Sequence, residues 1–240
     1  MYTLFVAKPA FGARTASPFA TKALSLMHLS GVAFQRQDAS PVQGPRQKLP
    51  YLKRPDGTII ADSWNIRQHL VAEEGLQLSP APGGTALRRL VEEHLYFAQV
   101  YFRWMRHGPE IKSTLFAEVA WPIRPLVYQM VRRNVVRTLY GQGIGRRPES
   151  EILAVVRDDL DALEEAIEGR TFLGGSALAA VDLSVHGLLD QLVTSTFADP
   201  FIQAVKERSS LVAYHRRVDT RVYPGAADEA QEAIGCSMRS

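Results

Sequence analysis

The strongest constraint on what this chain can fold into is a change of pattern near residue 77. Ahead of it, short apolar runs with strand character alternate with helical spacing. Beyond it the periodic stretches are all helical and no strand signal returns. Tyr2 to Val6 reads as a strand. Ser17 to Ser30 carries Phe19, Ala23, Leu26 and Met27 on one side of a helix that Gly31 stops. Val32 to Gln37 reads as a second strand. Tyr51-Leu52-Lys53 and Thr58-Ile59-Ile60 flank Arg54-Pro55-Asp56-Gly57, where proline presets a turn, aspartate bonds back to the backbone and glycine accepts positive φ. Ser63 to Glu73, with Trp64, Ile66 and Leu70, has helical spacing. The order strand, helix, strand, hairpin, helix predicts a mixed four-stranded sheet with helices on its faces.

Gln77 to Gly84 has linker composition. Helices are expected over 85–107, 122–140 and 148–168, with two or three shorter ones across 180–222. The domain reading is an α/β unit at 1–76, a linker at 77–84, an all-helical unit at 85–222 and a poorly ordered tail at 223–240.

Composition narrows the function classes. Cys236 is the only cysteine, so neither an internal disulfide nor a CxxC redox pair is available. The apolar runs are too short to cross a bilayer, and Met1 to Val6 is too short for a signal core, so the expectation is a cytoplasmic protein without an integral membrane anchor. Net charge is only +3, and the pairs Arg132-Arg133, Arg146-Arg147 and Arg216-Arg217 are scattered rather than gathered on a face, which argues against nucleic acid. Histidines 28, 69, 94, 107, 186 and 215 show no paired ligand spacing on one helix, so no metal is expected.

Three short pieces in the first unit carry candidate chemistry. Ser17-Pro18-Phe19 opens a helix after a loop, where unpaired N–H groups and the helix dipole favour an anion; a helix cap is the plainer role for the serine. Lys48-Leu49-Pro50 precedes the hairpin, and a cis Pro50 would free the Leu49 backbone to pair with an extended peptide. Asp62-Ser63 precedes the next helix, where a carboxylate for an amine and a hydroxyl for a carboxylate suit the zwitterionic end of an amino acid. A cap is again the competing role.

In this order and spacing the three pieces resemble the glutathione-binding domain of glutathione transferases. With Pro9-Ala10-Phe11-Gly12 and second-domain cues such as His94-Leu95-Tyr96, Arg103-Trp104 and Phe172-Leu173-Gly174-Gly175, the chain looks nearest to the metaxin and failed-axon-connections-like branch. The resemblance spans about residues 2 to 224. It implies a thioredoxin-like N-terminal domain, an all-α C-terminal domain, glutathione as co-substrate without a metal, and a homodimer. It places Leu49 and a cis Pro50 against the cysteinyl part of glutathione. Asp62 and Ser63 would take its γ-glutamyl end, Lys48 its glycyl carboxylate, and Ser17 would lie at the sulfur. The implied activity is transfer of glutathione to a small hydrophobic electrophile, with Phe11, Tyr101, Trp104 and Trp121 as candidate pocket walls; core packing is the plainer role of each. A non-catalytic interaction module of the metaxin type is the alternative. The sequence departs from the family where Ala179 stands in the cap position three residues before Asp182, and where no cysteine accompanies Ser17, which leaves no protein thiolate for disulfide exchange.

Overall fold

The structure is a computed structural model, described for residues 1–225; Cys236 and all but the start of the expected tail lie outside the described residues. The sheet has the order β2-β1-β3-β4. Strand β1 (Tyr2–Val6) is parallel to β2 (Phe34–Asp38) and antiparallel to β3 (Tyr51–Lys53), and β3 is antiparallel to β4 (Ile59–Ala61). Two strands are displaced from expectation, each by its partner. Strand β2 begins at Phe34 rather than Val32 because Tyr2, the first residue of β1, pairs with Phe34. The hairpin closes one residue later because Thr58 belongs to the turn: its N–H donates to Asp56 Oδ1 at 2.8 Å and its carbonyl accepts from Arg54 at 2.9 Å.

This register gathers three chain segments at one end of the sheet. Val6 at the end of β1, Tyr51 at the start of β3 and Ala61 at the end of β4 lie side by side, since Phe5 pairs with Tyr51 and Tyr51 with Ala61. The segments leaving or entering there are the loop 7–17, Lys48-Leu49-Pro50 and Asp62-Ser63. In open α/β sheets, the crevice at the ends of the strands is the usual place for a ligand.

Helix α1 (Pro18–Ser30) follows that loop and ends at Gly31, whose φ of 69° is the left-handed cap that glycine accepts readily. Leu26 and Met27 are buried, and so are Thr21, Lys22 and Ser25, so α1 has almost no solvent face. Helix α2 (Ser63–Ala72) packs beside it. The rest is helical. The expected helix over 85–107 is continuous from α3 (Gly84–Arg89) through a π-helical stretch, Leu90–Leu95, into α4 (Tyr96–Arg106). Sequence spacing does not anticipate α5 (Gly108–Leu115), since Gly108-Pro109 reads as a breaker, although proline fits a first turn. The stretch expected from 122 is α6 (Arg124–Gln142), with Pro125 in its first turn. Then come α7 (Glu149–Ile167), α8 (Ala180–Val193), α9 (Pro200–Lys206) and α10 (Ser209–Val222). Among the described residues no helix is long and apolar enough to cross a membrane.

The two halves meet through α1 and α8. A Cβ at Gly187 of α8 would lie 2.4 Å from the Pro18 carbonyl oxygen, so only glycine permits this approach. At the start of α8 the missing hydroxyl cap is partly offset. The buried Asp182 carboxylate accepts from the N–H groups of Ala179 at 2.7 Å and Leu173 at 2.8 Å, and from the Tyr214 hydroxyl. Polar ties cross the joint as well. Lys22 pairs with Glu92 at 2.6 Å, and Glu92 also accepts from Ser184 at 2.8 Å and Arg88 at 3.0 Å. Arg14 grips both oxygens of Asp219 at 2.7 and 3.0 Å and reaches Asp190 at 3.3 Å, while His186 lies 3.0 Å from Asp219.

Burial alone would raise the Asp219 pKa, but hydrogen bonds from His186 and Arg14, with their charge, outweigh it and hold the carboxyl down at about 2. Its folded pKa lies below the unfolded value of about 3.9. The stabilisation is therefore present above about pH 4 and is lost as pH falls towards about 2. In urea unfolding, the loss of stability between about pH 4 and about pH 3 is expected to be about 1 kcal/mol smaller in Asp219→Asn than in the wild type; equal losses contradict this assignment. Gly187→Ala is expected to cost about 1–3 kcal/mol through overpacking against Pro18, lowering Tm by about 3–10 °C in a thermal melt.

Candidate active site

The loop 7–17 is held by groups from both halves of the chain, and the second half supplies most of its clamps. Ala16 N–H donates to the Lys8 carbonyl at 2.9 Å, and Arg36 donates to the Arg14 carbonyl at 3.0 Å. From the helical half, Thr196 N–H donates to the Phe11 carbonyl at 3.0 Å. Gln191 donates to the Thr15 carbonyl at 2.9 Å, and Arg103 to the Ala16 carbonyl at 3.0 Å. A Cβ at Gly12, whose φ is +87°, would come 2.1 Å from the Thr194 carbonyl oxygen, so loop and helical half touch backbone to backbone.

These clamps present Ser17 in extended conformation at the N-terminus of α1, half-buried, with its side chain making no cap hydrogen bond. Capping, the plainer expectation for this serine, is not what its hydroxyl does. The neighbouring Thr15 has taken the local bonding instead: its hydroxyl donates to the Ser17 carbonyl at 2.7 Å and accepts from the Ser17 N–H at 3.1 Å.

Across the same end of the sheet, the Leu49–Pro50 peptide bond is cis. Among the described residues Leu49 takes no part in the backbone hydrogen bonds outside the ladders and helices, whereas the Pro50 carbonyl accepts from Asp62 N–H at 3.1 Å. That bond ties the two sequence pieces together. Asp62 has φ 78° and ψ 138°, outside the ordinary regions for a residue with a side chain. Such strain costs about 1–3 kcal/mol and gathers at functional sites. Its carboxylate caps α2 through the Trp64 N–H at 2.8 Å, so the cap role is realised, and the side chain stays exposed. Ser63 is buried beneath it and Lys48 is exposed.

The four aromatic candidates part company. Phe11 is buried, with its ring 4.6 Å from that of Phe197 and 5.3 Å from the Arg103 guanidinium. Tyr101 is half-buried, edge-on to Phe102. Trp104 stacks on Tyr128 and meets Phe116 edge-on, a cluster that fills the space between α4, α5 and α6. Trp121 is 80% exposed, so the core role weighed for it is not realised.

Sequence reasoning missed Arg103 and Gln191. Arg103 is half-buried and donates its second Nη to Gln191 Oε1 at 3.1 Å. Burial lowers its pKa to about 10, only partly offset by Tyr96 and Asp199. Among the described residues it forms no ion pair with a carboxylate. The available signal was an arginine one turn beyond the buried Gln99, on a helix whose other inward residues are apolar or aromatic.

Four ligand-type side chains that sequence spacing does not bring together meet in the fold. His186 and Asp190 are one turn apart on α8, and His215 and Asp219 one turn apart on α10. Packing of the two helices brings one ligand-type atom from each within 4.8 Å of the others. Two imidazoles and two carboxylates are a zinc-type donor set. In this arrangement, however, the Arg14 guanidinium already engages both carboxylates and supplies the positive charge.

Comparison with known proteins agrees with the fold. Residues 18–110 match the family described as "Glutathione S-transferase N-terminal domain". The chain is 28% identical over 235 residues to the isoprene-epoxide glutathione S-transferase of Rhodococcus sp. (strain AD45), covering 91% of this chain and 98% of that one. Among solved structures it is similar to beta-etherase LigF of Sphingobium sp. strain SYK-6, with TM-score 0.61 and 18% identity over 91% of this chain and 94% of that one. It is likewise similar to a glutathione S-transferase of Methylobacterium radiotolerans in complex with glutathione sulfonate, with TM-score 0.57 and 16% identity over 95% and 93% of the two chains. A thioredoxin-like domain with a four-stranded mixed sheet and a helical second half give this chain the glutathione S-transferase fold, and its residues 18–110 are similar to the N-terminal domain of that family.

Proposed function

We propose that the chain is an enzyme of the glutathione-transferase type that joins the sulfur of glutathione to a small hydrophobic electrophile. The observation that carries this reading is the convergence of Ser17, Leu49-Pro50 and Asp62-Ser63 at one end of the sheet, with the Ser17 hydroxyl free of a cap bond and Asp62 held in a strained conformation. In this reading Leu49 pairs main chain to main chain with the cysteinyl unit, Asp62 and Ser63 hold the γ-glutamyl end, and Lys48 meets the glycyl carboxylate. Ser17 donates to the sulfur.

The energetics suffice without another acid or base. A free thiol has a pKa of roughly 8.5, and lowering it by about two units needs roughly 2.7 kcal/mol. A hydrogen bond from Ser17 to the charged sulfur contributes about 1.5–3 kcal/mol, and the α1 dipole about 0.3–1 kcal/mol. Thr15 is a poor substitute, since its hydroxyl proton is committed to the Ser17 carbonyl.

Small epoxides are the first electrophile class to test, because isoprene epoxide is named for the Rhodococcus relative that this chain matches over 235 residues. Phe11 and Tyr101 are the pocket walls this reading retains; Trp104 belongs to the Tyr128–Phe116 cluster and Trp121 to the surface. The homodimer and the cytoplasmic location belong to the same reading. The metaxin-like alternative, a non-catalytic binding module, draws no support from the relatives, which are named as transferases and other glutathione-related proteins.

Two substitutions test the assignment. Asp62→Ala is expected to weaken glutathione binding at least about tenfold by calorimetric titration, or about 1.4 kcal/mol; equal affinity reduces Asp62 to a helix cap. In Ser17→Ala, the bound thiol pKa, followed by thiolate absorbance, is expected to rise by about one to two units. Turnover of an aryl halide near neutral pH should slow about ten- to hundredfold, with a far smaller loss of affinity. An unchanged thiol pKa removes Ser17 from the mechanism.

A further inference from the structure

We propose that Arg103 forms an oxyanion subsite at the joint between the two halves, where its guanidinium receives the negative charge that develops on the ring oxygen of a small epoxide as glutathione opens it. This rests on the transferase reading above and gives that site its electrophilic half.

Arg103, half-buried on α4, brings a cation to the joint with no carboxylate in contact among the described residues. The other arginines near the joint are compensated: Arg14 by Asp219 and Asp190, and Arg88 by Glu92. Taking a cation out of water without a counter-charge is costly. The two acceptors Arg103 does have, the Ala16 carbonyl and the Gln191 side-chain oxygen, are neutral and occupy only part of a guanidinium's fork of N–H donors. A neutral donor would hold a carbonyl and an amide equally well. What only a cation supplies is stabilisation of negative charge, and with its pKa at about 10 the group remains charged at neutral pH.

Position then selects the charge it serves. Arg103 is anchored one residue before Ser17, so it stands beside the sulfur site without belonging to the α1 terminus. It comes from the helical half and lies over the Phe11 ring, a candidate wall for the electrophile. The thiolate already has Ser17 and the helix dipole. The electrophile's oxygen has no other cationic partner in this assignment.

Epoxide opening creates the matching need. The sulfur lone pair forms the C–S bond, the ring C–O bond breaks, and its electron pair lands on oxygen, which then takes a proton from water. The thiol proton has already left to solvent, and nothing is oxidised or reduced. A preorganised donor aimed at developing charge in a partly dry site is where electrostatic catalysis is strongest.

The experiment compares wild type, Arg103→Gln and Arg103→Lys with butylene oxide and with chlorodinitrobenzene, whose transition state spreads its charge over the nitro-substituted ring. Glutathione affinity, bound-thiol pKa and melting temperature are measured for each. Arg103→Gln removes a loop clamp as well as a charge, so both substrates slow, but kcat/KM for the epoxide is expected to fall about a hundredfold, mainly in kcat, and at least about tenfold more than for chlorodinitrobenzene, with the bound-thiol pKa unchanged. Arg103→Lys should recover about tenfold of the loss. The proposal is overturned by unchanged epoxide turnover in Arg103→Gln, or by wild type that binds glutathione yet leaves the epoxide unreacted. It is also overturned by equal losses on both substrates: with a raised thiol pKa they assign Arg103 to the thiolate, and with lowered affinity and no rescue by lysine they make it a loop anchor. Only wild type that gives no heat with glutathione brings down the transferase reading as well.

Discussion

The burial of α1 on nearly every side is the constraint from which the rest of the structure follows. A helix with one apolar stripe needs one neighbour; α1 has α2, α8 and α10 packed around it. Because Lys22 and Thr21 are drawn inside with it, the helical half must answer them with polar groups, and it does so with Glu92 and Asp190. A buried charge left alone costs several kcal/mol, so these pairings fix how the halves meet as well as binding them. The π-helical stretch that contains Glu92 stands at this joint, where such stretches are often retained for a specific task.

The site inherits its rigidity from that joint. The α1 N-terminus can present Ser17 only in the place where Gly187 lets α8 come up against Pro18, and where Gln191 and Arg103 fasten the two carbonyls ahead of it. Half of the candidate site therefore belongs to the sheet, through Leu49-Pro50 and Asp62-Ser63. The other half is imposed by helices more than eighty residues further along the chain. A site built this way couples the position of Ser17 to the helical half.

The Arg14 cluster shows the same logic applied to stability. Two aspartates and two histidines packed together are an unstable combination in a dry interior, and the guanidinium from the loop before α1 balances them. One residue thus joins the loop that presents Ser17 to α8 and α10. The candidate site and the Arg14–Asp219 ion pair are linked through that connection.

Local rules carried far in this sequence. The Arg54–Gly57 turn, the stop at Gly31, the strand–helix–strand order and the loss of strand signals beyond residue 77 depend on dihedral preference and periodicity, and these act over a few residues. For the same reason Ser17, Lys48-Leu49-Pro50 and Asp62-Ser63 were legible as pieces. Pairing decided the rest. Strand β2 starts where β1 offers a partner, Asp62 meets Pro50 through a hydrogen bond between chain segments, and Trp121 stays outside although its composition suits a core. Arg103, Gln191 and the His186–Asp190–His215–Asp219 group acquire meaning only when helices distant in sequence pack together, because charge and hydrogen bonding depend on distance in space and the sequence records distance only along the chain.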